Sequence, residues 1–576
     1  MSRLPVSLVL LSIGLVSPAA AADKPSVRQI ADTYAKQAIS SGQAIGIGVA
    51  VVLRGQKPQF FTYGDAVVES GGNPAVPFTP NSLFQIGSVT KVFTTNLLGQ
   101  AVTKGQLGLN TPLSDFHKQL GTLKPSMGAV TLKQLADFTG GIADYAPLCT
   151  QSKVPGCLPS GRPTLKQYDG QDFATYFANT VPQNFSANPP KPARKLPAPY
   201  YYSDFGVGLL GLLLAERDKP LSNADVAGWN TKIKRQILNP LNMRRTYLNV
   251  PKARSGLIAA GYNQATARAS VDNGAIADID LITPGGLYTS APKVRITGGG
   301  GTGAKAVAEL DGERVGKINV TAGGSGYVAP ATVTFTNGNS TETANAHVIV
   351  SKGKVIGVSV DRSGAGYQNA PDVKISGGLA GPNTRNATAT AHIADGRVTY
   401  ISVDDPGKGY VAPLAVVVAP GGSAENAIPI WAPAGSLSSS LSDMAKFAAA
   451  AMPSSPGRGG DISRGFRIAE RPYACASGNP KLSKCPTGAA QSGLAWSILP
   501  KDADNGVPKV VTKDGSLGGY TTFVALMPDK QLGVVVFANS RGTVLATGAP
   551  TLVAPQIAKN IFYALYYEKV QGSGHR

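Results

Sequence analysis

Ser88 stands three residues before Lys91 in Phe84-Gln-Ile-Gly-Ser-Val-Thr-Lys-Val-Phe-Thr-Thr-Asn-Leu-Leu98, where a glycine turn leads into a run with helical character. Residues three apart share a helix face, so a neutral Lys91 amine can take the Ser88 hydroxyl proton. The positive end of the helix favours negative charge developing beside it. The spacing alone is weak, because Ser290/Lys293 and Ser351/Lys354 repeat it inside segments with strand character. Two later motifs give it context. Tyr202, followed two residues on by Asp204, opens a Gly-rich apolar run. There Tyr202 can relay protons to the Ser88/Lys91 pair, and Asp204 can contact substrate or, more plainly, cap a helix. In Val511-Thr-Lys-Asp-Gly-Ser516, Lys513 is positioned to attract a carboxylate and Gly515 permits close backbone approach. The N–H groups of Ser88 and Ser516 form a candidate oxyanion hole, with Asp514 as a further substrate contact.

The elements that must hold these groups come from both ends of the chain. Val27–Lys36 has apolar residues at helical spacing, and 45–53 with 59–63 reads as a strand pair. Thr521–Leu526 and Leu532–Phe537 read as a hairpin, and Ala554–Tyr567 as a closing helix. Strands from both ends flanked by terminal helices predict one sheet built by both flanks.

Between them Tyr288, Tyr327, Tyr367 and Tyr410 recur every 39 to 43 residues, each close before an Ala-Pro pair. Short alternating segments bounded by glycines separate them, which is strand and turn chemistry. Three full repeats and a partial one predict an all-β array whose units stack, from about 275 to 425. The predicted domains are a signal peptide (1–22), a first hydrolase part (23–270), an inserted Gly/Tyr/Pro-rich β-repeat region (271–430) and a second hydrolase part (431–576). Tyrosines and glycines at the turns are expected to serve packing; contact with glycan is the alternative.

Together the three motifs resemble those of the serine β-lactamase and penicillin-binding protein superfamily, nearest to the class C β-lactamases with their DD-peptidase and esterase relatives. Thr131–Ile142 is similar to a family stretch ending in Thr-Ser-Gly-Leu, and Pro433–Met444 to its Pro-Ala-Gly-Gly segment. The resemblance covers both flanks and leaves the repeats outside. It implies an α+β, β-lactamase/transpeptidase-like fold, in which an antiparallel sheet is flanked by terminal helices and a helical subdomain. It also implies a Ser88 acyl-enzyme acting on β-lactams, D-alanyl cell-wall peptides or esters, with no cofactor. No metal is expected, because none of His117, His347, His392 and His575 lies close to a cysteine. Two positions depart from the pattern, with Asp204 in place of asparagine and Asp514 where threonine is frequent. Both add negative charge and are expected to weaken binding of an anionic substrate.

The basic, apolar and small-residue succession from Arg3 to Ala22 reads as a secretory signal, so a periplasmic or secreted address is expected, without a membrane span. In such an oxidising compartment, the simplest of three connectivities pairs Cys149 with Cys157 and Cys475 with Cys485. A net charge of +20, from 54 basic and 34 acidic residues, suits an anionic envelope polymer or acidic substrate better than nucleic acid in an exported chain. A Ser-His-Asp site is the rival mechanism. Of the four histidines only His117 lies in the catalytic flanks away from the terminus. A catalytically silent envelope-binding protein that uses its repeats is the rival function.

Overall fold

In the computed structural model, residues 24–69, 73–145, 168–215, 218–420, 429–452, 460–477, 480–486, 489–540, 543–544 and 550–571 are described. The architecture is α+β. Its centre is a nine-stranded sheet in the order 474–475, 491–492, 497–499, 510–517, 520–527, 532–538, 46–52, 59–67, 76–77. The seam between the two ends of the chain is the antiparallel pairing of Gly46–Val52 with Leu532–Ala538, in which Val49 faces Val536. One sheet is thus built by both flanks.

The central strands are buried on both sides, and alternation sorts their residues into two layers. Ile47, Val49, Val51, Val534 and Val536 pack under the terminal helices Val27–Ser40 and Val553–Leu565. Ala50, Val52, Val524, Val535 and Phe537 face the helical layer that contains Thr90–Thr103, Asp204–Ala215 and Leu441–Ala451. The first helix starts where sequence places it: Ser26 accepts from the Gln29 amide and the Gln29 side chain returns the bond, a reciprocal cap.

The repeat region forms four hairpins, at 266–272/275–283, 305–311/314–322, 345–351/354–362 and 388–394/397–405. Sequence suggests three units and a remnant, and the array opens at Thr266, ahead of residue 271. Three hairpins turn through Asn273-Gly274, Lys352-Gly353 and Asp395-Gly396, with both residues at positive φ, which matches the twist of the flanking strands. The recurring tyrosines are buried, at 3–7 % exposure. The hydroxyls of Tyr288, Tyr367 and Tyr410 accept from the N–H of Ala265, Ala344 and Ala387, in each case 23 residues earlier. They are internal pins of the array and offer no ring face to a glycan. The array also closes on itself. Ala415–Val418 pairs with Val294–Thr297, and Gln264 Nε2 donates to Val418 O at 2.8 Å, so the chain leaves the sheet's scaffold and returns to it at neighbouring points.

The later hairpins dock on the terminal-helix side. Asn560 receives the Val360 N–H at 2.9 Å and donates to Ser359, while Gln556 donates to Asp361. Ile349, Ala394 and Tyr400 join the buried cluster of the terminal helices. The array therefore lies across the sheet from the helical layer that carries Ser88. Among the described residues no helix is long and apolar enough to cross a membrane.

Candidate active site

Ser88 lies in a single 3-10 turn, Gly87–Val89, that runs directly into the Thr90–Thr103 helix. Eleven consecutive residues of that helix, Thr90 to Gln100, are buried, which makes it a rigid central post rather than an amphipathic surface helix. Ser88 stays partly accessible at its end, while Lys91, one turn on, is fully buried.

The Lys91 ammonium has three acceptors: Ser88 Oγ at 3.0 Å, Ala434 O at 2.8 Å and the Asp204 carboxylate in a close ion pair. These three acceptors match the three N–H bonds of a protonated amine. Burial pushes the Lys91 pKa below the ordinary lysine value, Asp204 pulls it back up, and nearby Lys513 adds to the fall. Tyr202 donates to Ser88 Oγ at 2.7 Å. Its ring lies beneath both ammonium groups, 4.9 Å from Lys91 Nζ and 5.3 Å from Lys513 Nζ. Burial first, then the Asp204 charge, raises the Tyr202 pKa well above that of a free phenol, so it is a protonated donor at neutral pH.

Two loops hold this tyrosine in place. Ala198 and Tyr201 donate their N–H groups to the carbonyls of Thr139 and Phe138, and the Phe138 ring packs 4.8 Å from that of Tyr202. The helix beginning at Asp204 is capped by Ser203, whose Oγ accepts from Gly206 N at 2.8 Å. Asp204 is therefore not the cap that its position suggested; its carboxylate is turned to Lys91, and its own N–H is held by Asp144 Oδ1 at 2.9 Å.

On the other side, Val510–Leu517 is pressed against the Ser88 turn. A Cβ on Gly515 would lie 2.1 Å from Ile86 O, and a Cβ on Gly87, which has φ +51, would lie 2.8 Å from Ser516 N. Two facing glycines allow the strand backbone to reach the turn, and Thr522 Oγ1 locks the contact by donating to Ile86 O at 2.9 Å. The backbones of Ser88 and Ser516 thereby share one side of the cleft. Lys513 is buried beside Tyr202 but also 3.2 Å from Asp514, which is half exposed. The Lys513 charge, ahead of opposing burial, holds the Asp514 carboxyl below the usual range.

Ser88, Lys91, Tyr202, Asp204, Lys513, Gly515 and Ser516 thus gather at one cleft, whereas Asp514, cross-strand from Phe523, leaves the sheet on the terminal-helix face and meets the cleft only through its ion pair with Lys513. Sequence reasoning missed Ala434 and Asp144. Thr94 Oγ1 donates to Pro433 O at 2.7 Å and Leu437 N to Thr90 Oγ1 at 3.1 Å, which presents the Ala434 carbonyl to Lys91. A backbone carbonyl has no side-chain signature, and only the Pro-Ala-Gly phrase pointed to that segment. His117 is exposed, and His347 and His392 lie in the array; none of the three contacts Ser88. Among the described residues no group of three His, Cys, Asp or Glu is placed to hold a metal. Cys475 and Cys485 are joined in a disulfide, whereas Cys149 and Cys157 lie outside the described residues, as does the 1–22 segment.

The beta-lactamase family model matches residues 27–367 and 371–556. The chain is 28% identical over 251 residues to a beta-lactamase of Pseudomonas fluorescens, covering 43% of this chain and 59% of that protein. It is 30% identical over 222 residues to a beta-lactamase of Escherichia coli (strain K12), covering 38% and 48%. The matched stretch is thus about half the length of these relatives. Two solved structures, a beta-lactamase/D-alanine carboxypeptidase from Pseudomonas syringae and a class C beta-lactamase, superpose with a TM-score of 0.50 at 15% identity. They cover 95% of this chain and 99% and 98% of theirs, a likeness of fold.

Proposed function

The chain belongs to the beta-lactamase family, and from that footing we propose that it is an exported hydrolase that forms an acyl-enzyme at Ser88 on β-lactams or D-alanyl cell-wall peptides. The observation that carries this reading is the pair of contacts on one oxygen: Ser88 Oγ lies 3.0 Å from Lys91 Nζ and 2.7 Å from the Tyr202 hydroxyl.

Burial favours loss of a proton from Lys91, and the neutral amine then takes the Ser88 proton as Oγ bonds to the substrate carbonyl carbon. The carbonyl oxygen, now carrying the charge, is received by the N–H groups of Ser88 and Ser516. As the tetrahedral adduct collapses, the scissile bond breaks. Tyr202 donates a proton to the departing amine and recovers one from Lys91. Water then attacks the acyl carbon, passing its proton along the same pair, and Ser88 is regenerated. Lys513 attracts a substrate carboxylate. The repeats, from Thr266 to about residue 430, are an insertion between the two parts of the hydrolase domain, 23–265 and 431–576, behind a signal segment at 1–22.

A second reading, an esterase of the same fold, is favoured by the ion pairs. Asp514 already engages Lys513 and Asp204 engages Lys91, which leaves less positive charge for a substrate carboxylate than for a neutral ester. A fluorescent penicillin and a short-chain nitrophenyl ester, each tested on wild type and Ser88→Ala, separate these readings. Stoichiometric labelling or turnover lost in Ser88→Ala is expected. Labelling that persists in that variant rules out the nucleophile.

A further inference from the structure

Where the fourth hairpin of the array meets the final helix and the sheet, they enclose a cavity of about 330 Å³. That is at the lower end of the range for small-molecule sites. It is on the far side of the sheet from Ser88, and both the array and the hydrolase scaffold are needed to form it. One wall is apolar, from Leu499, Val510 and Phe562. Two cations face it. Lys559 is solvent-accessible and lies 5.7 Å from the Phe523 ring centroid, and no hydrogen-bond acceptor or carboxylate among the described residues holds its ammonium. Arg397 gives one N–H to Gly364 O at 3.3 Å and makes no ion pair among the described residues.

The one acid in the lining, Asp395, is the partner expected to neutralise them. Its N–H is bonded to the Asp502 carboxylate at 2.6 Å, and its own carboxylate feels the Arg397 charge without forming an ion pair with either cation among the described residues. Burial, then the Asp502 charge, pushes its carboxyl pKa up to about 6. The lining carries two basic side chains against one acid, beside a wall that an inorganic ion would not use. Burial lowers the Lys559 pKa, the Asp514 charge opposes that fall and the Arg397 charge adds to it, so an anion bound between the two would favour the cation.

We propose that this cavity is a second binding site, for a small organic anion whose carboxylate is taken by Lys559 and Arg397 and whose apolar body lies on Leu499, Val510 and Phe562. The site is independent of the Ser88 chemistry and can stand if that reading fails.

Calorimetric titration of the full chain with 4-phenylbutyrate, its neutral amide and inorganic phosphate tests it. The carboxylate is expected to bind, and the amide and phosphate to bind at least about tenfold more weakly. Lys559→Met and Arg397→Gln should each weaken carboxylate binding roughly ten- to a hundredfold, the weight of a charged hydrogen bond. Lys513→Ala, which removes the lysine assigned to a substrate carboxylate in the Ser88 cleft, should leave it unchanged. Binding indifferent to both cavity variants, lost in Lys513→Ala, matched by phosphate or absent altogether overturns the proposal. Melting midpoints report whether each variant folds. If Lys559→Met does not, the exposed Arg397→Gln change decides.

Discussion

Asp204 forms an ion pair with Lys91 beneath Ser88, and the two side chains differ in burial: Lys91 is fully enclosed while Asp204 keeps 14% of its surface. The carboxylate thereby stabilises the cationic form of a lysine that burial alone would discharge. It works against the base while fixing its position.

Asp204→Asn should therefore lower the Lys91 pKa further and increase the neutral amine at a given pH. The acidic limb of the acylation rate moves to lower pH, and at a fixed pH below that limb the rate rises roughly tenfold for every pH unit the limb moves. A pH profile of kcat/KM with penicillin or ester measures it. A limb that stays in place or moves upward means the carboxylate does not tune Lys91.

Asp514→Thr should release Lys513 for substrate. Because Asp514 is half exposed, the gain is limited to about threefold to tenfold in KM, and only for substrates that carry a carboxylate. Parallel assays with a cephalosporin and a neutral nitrophenyl ester provide the contrast, and equal changes in both would assign Asp514 no part in charge recognition.

Gly515→Ala puts a methyl 2.1 Å from Ile86 O, so strand and turn must separate. Misplacing one oxyanion donor should slow acylation about a hundredfold or more, with little change in ester affinity. Stopped-flow acylation together with the melting midpoint measures both effects; near-wild-type acylation would show that this close approach is dispensable.

Glu470 lies away from that chemistry and is 4% exposed, with its Oε1 buried and unpartnered among the described residues. Burial pushes its pKa up to about 8 from 4.5. Between those values the native state keeps a proton that the unfolded chain has lost, so stability falls as pH rises through this window, by on the order of a few kcal/mol. Glu470→Gln should remove that slope and stabilise the protein most at pH 8 and above. Denaturant midpoints at pH 5, 7 and 9 test it, and a variant with the wild-type slope would exclude Glu470 as its source.

The local pattern of the chain settled a great deal. Ser88 and Lys91 meet because three residues along a helix is a fixed distance. The strands at 46–52, 520–527 and 532–538 follow from short, nearly continuous apolar runs, which suit a sheet covered on both faces. The terminal helices appear as apolar periodicity, and the repeated tyrosines mark the array.

Only the tertiary structure decided what each group faces. Asp204 reads as a helix cap in one dimension, yet Ser203 caps and Asp204 pairs with a lysine 113 residues away. The Ala434 carbonyl reaches Lys91 across 343 residues and carries no side-chain mark. The tyrosines that invited a binding reading are pinned inside the array, and the array lies behind the sheet instead of over the cleft. Spacing constrains a residue's neighbours within a few turns, whereas partners hundreds of residues apart are set by how whole layers pack, and that packing assigned the charges at Ser88.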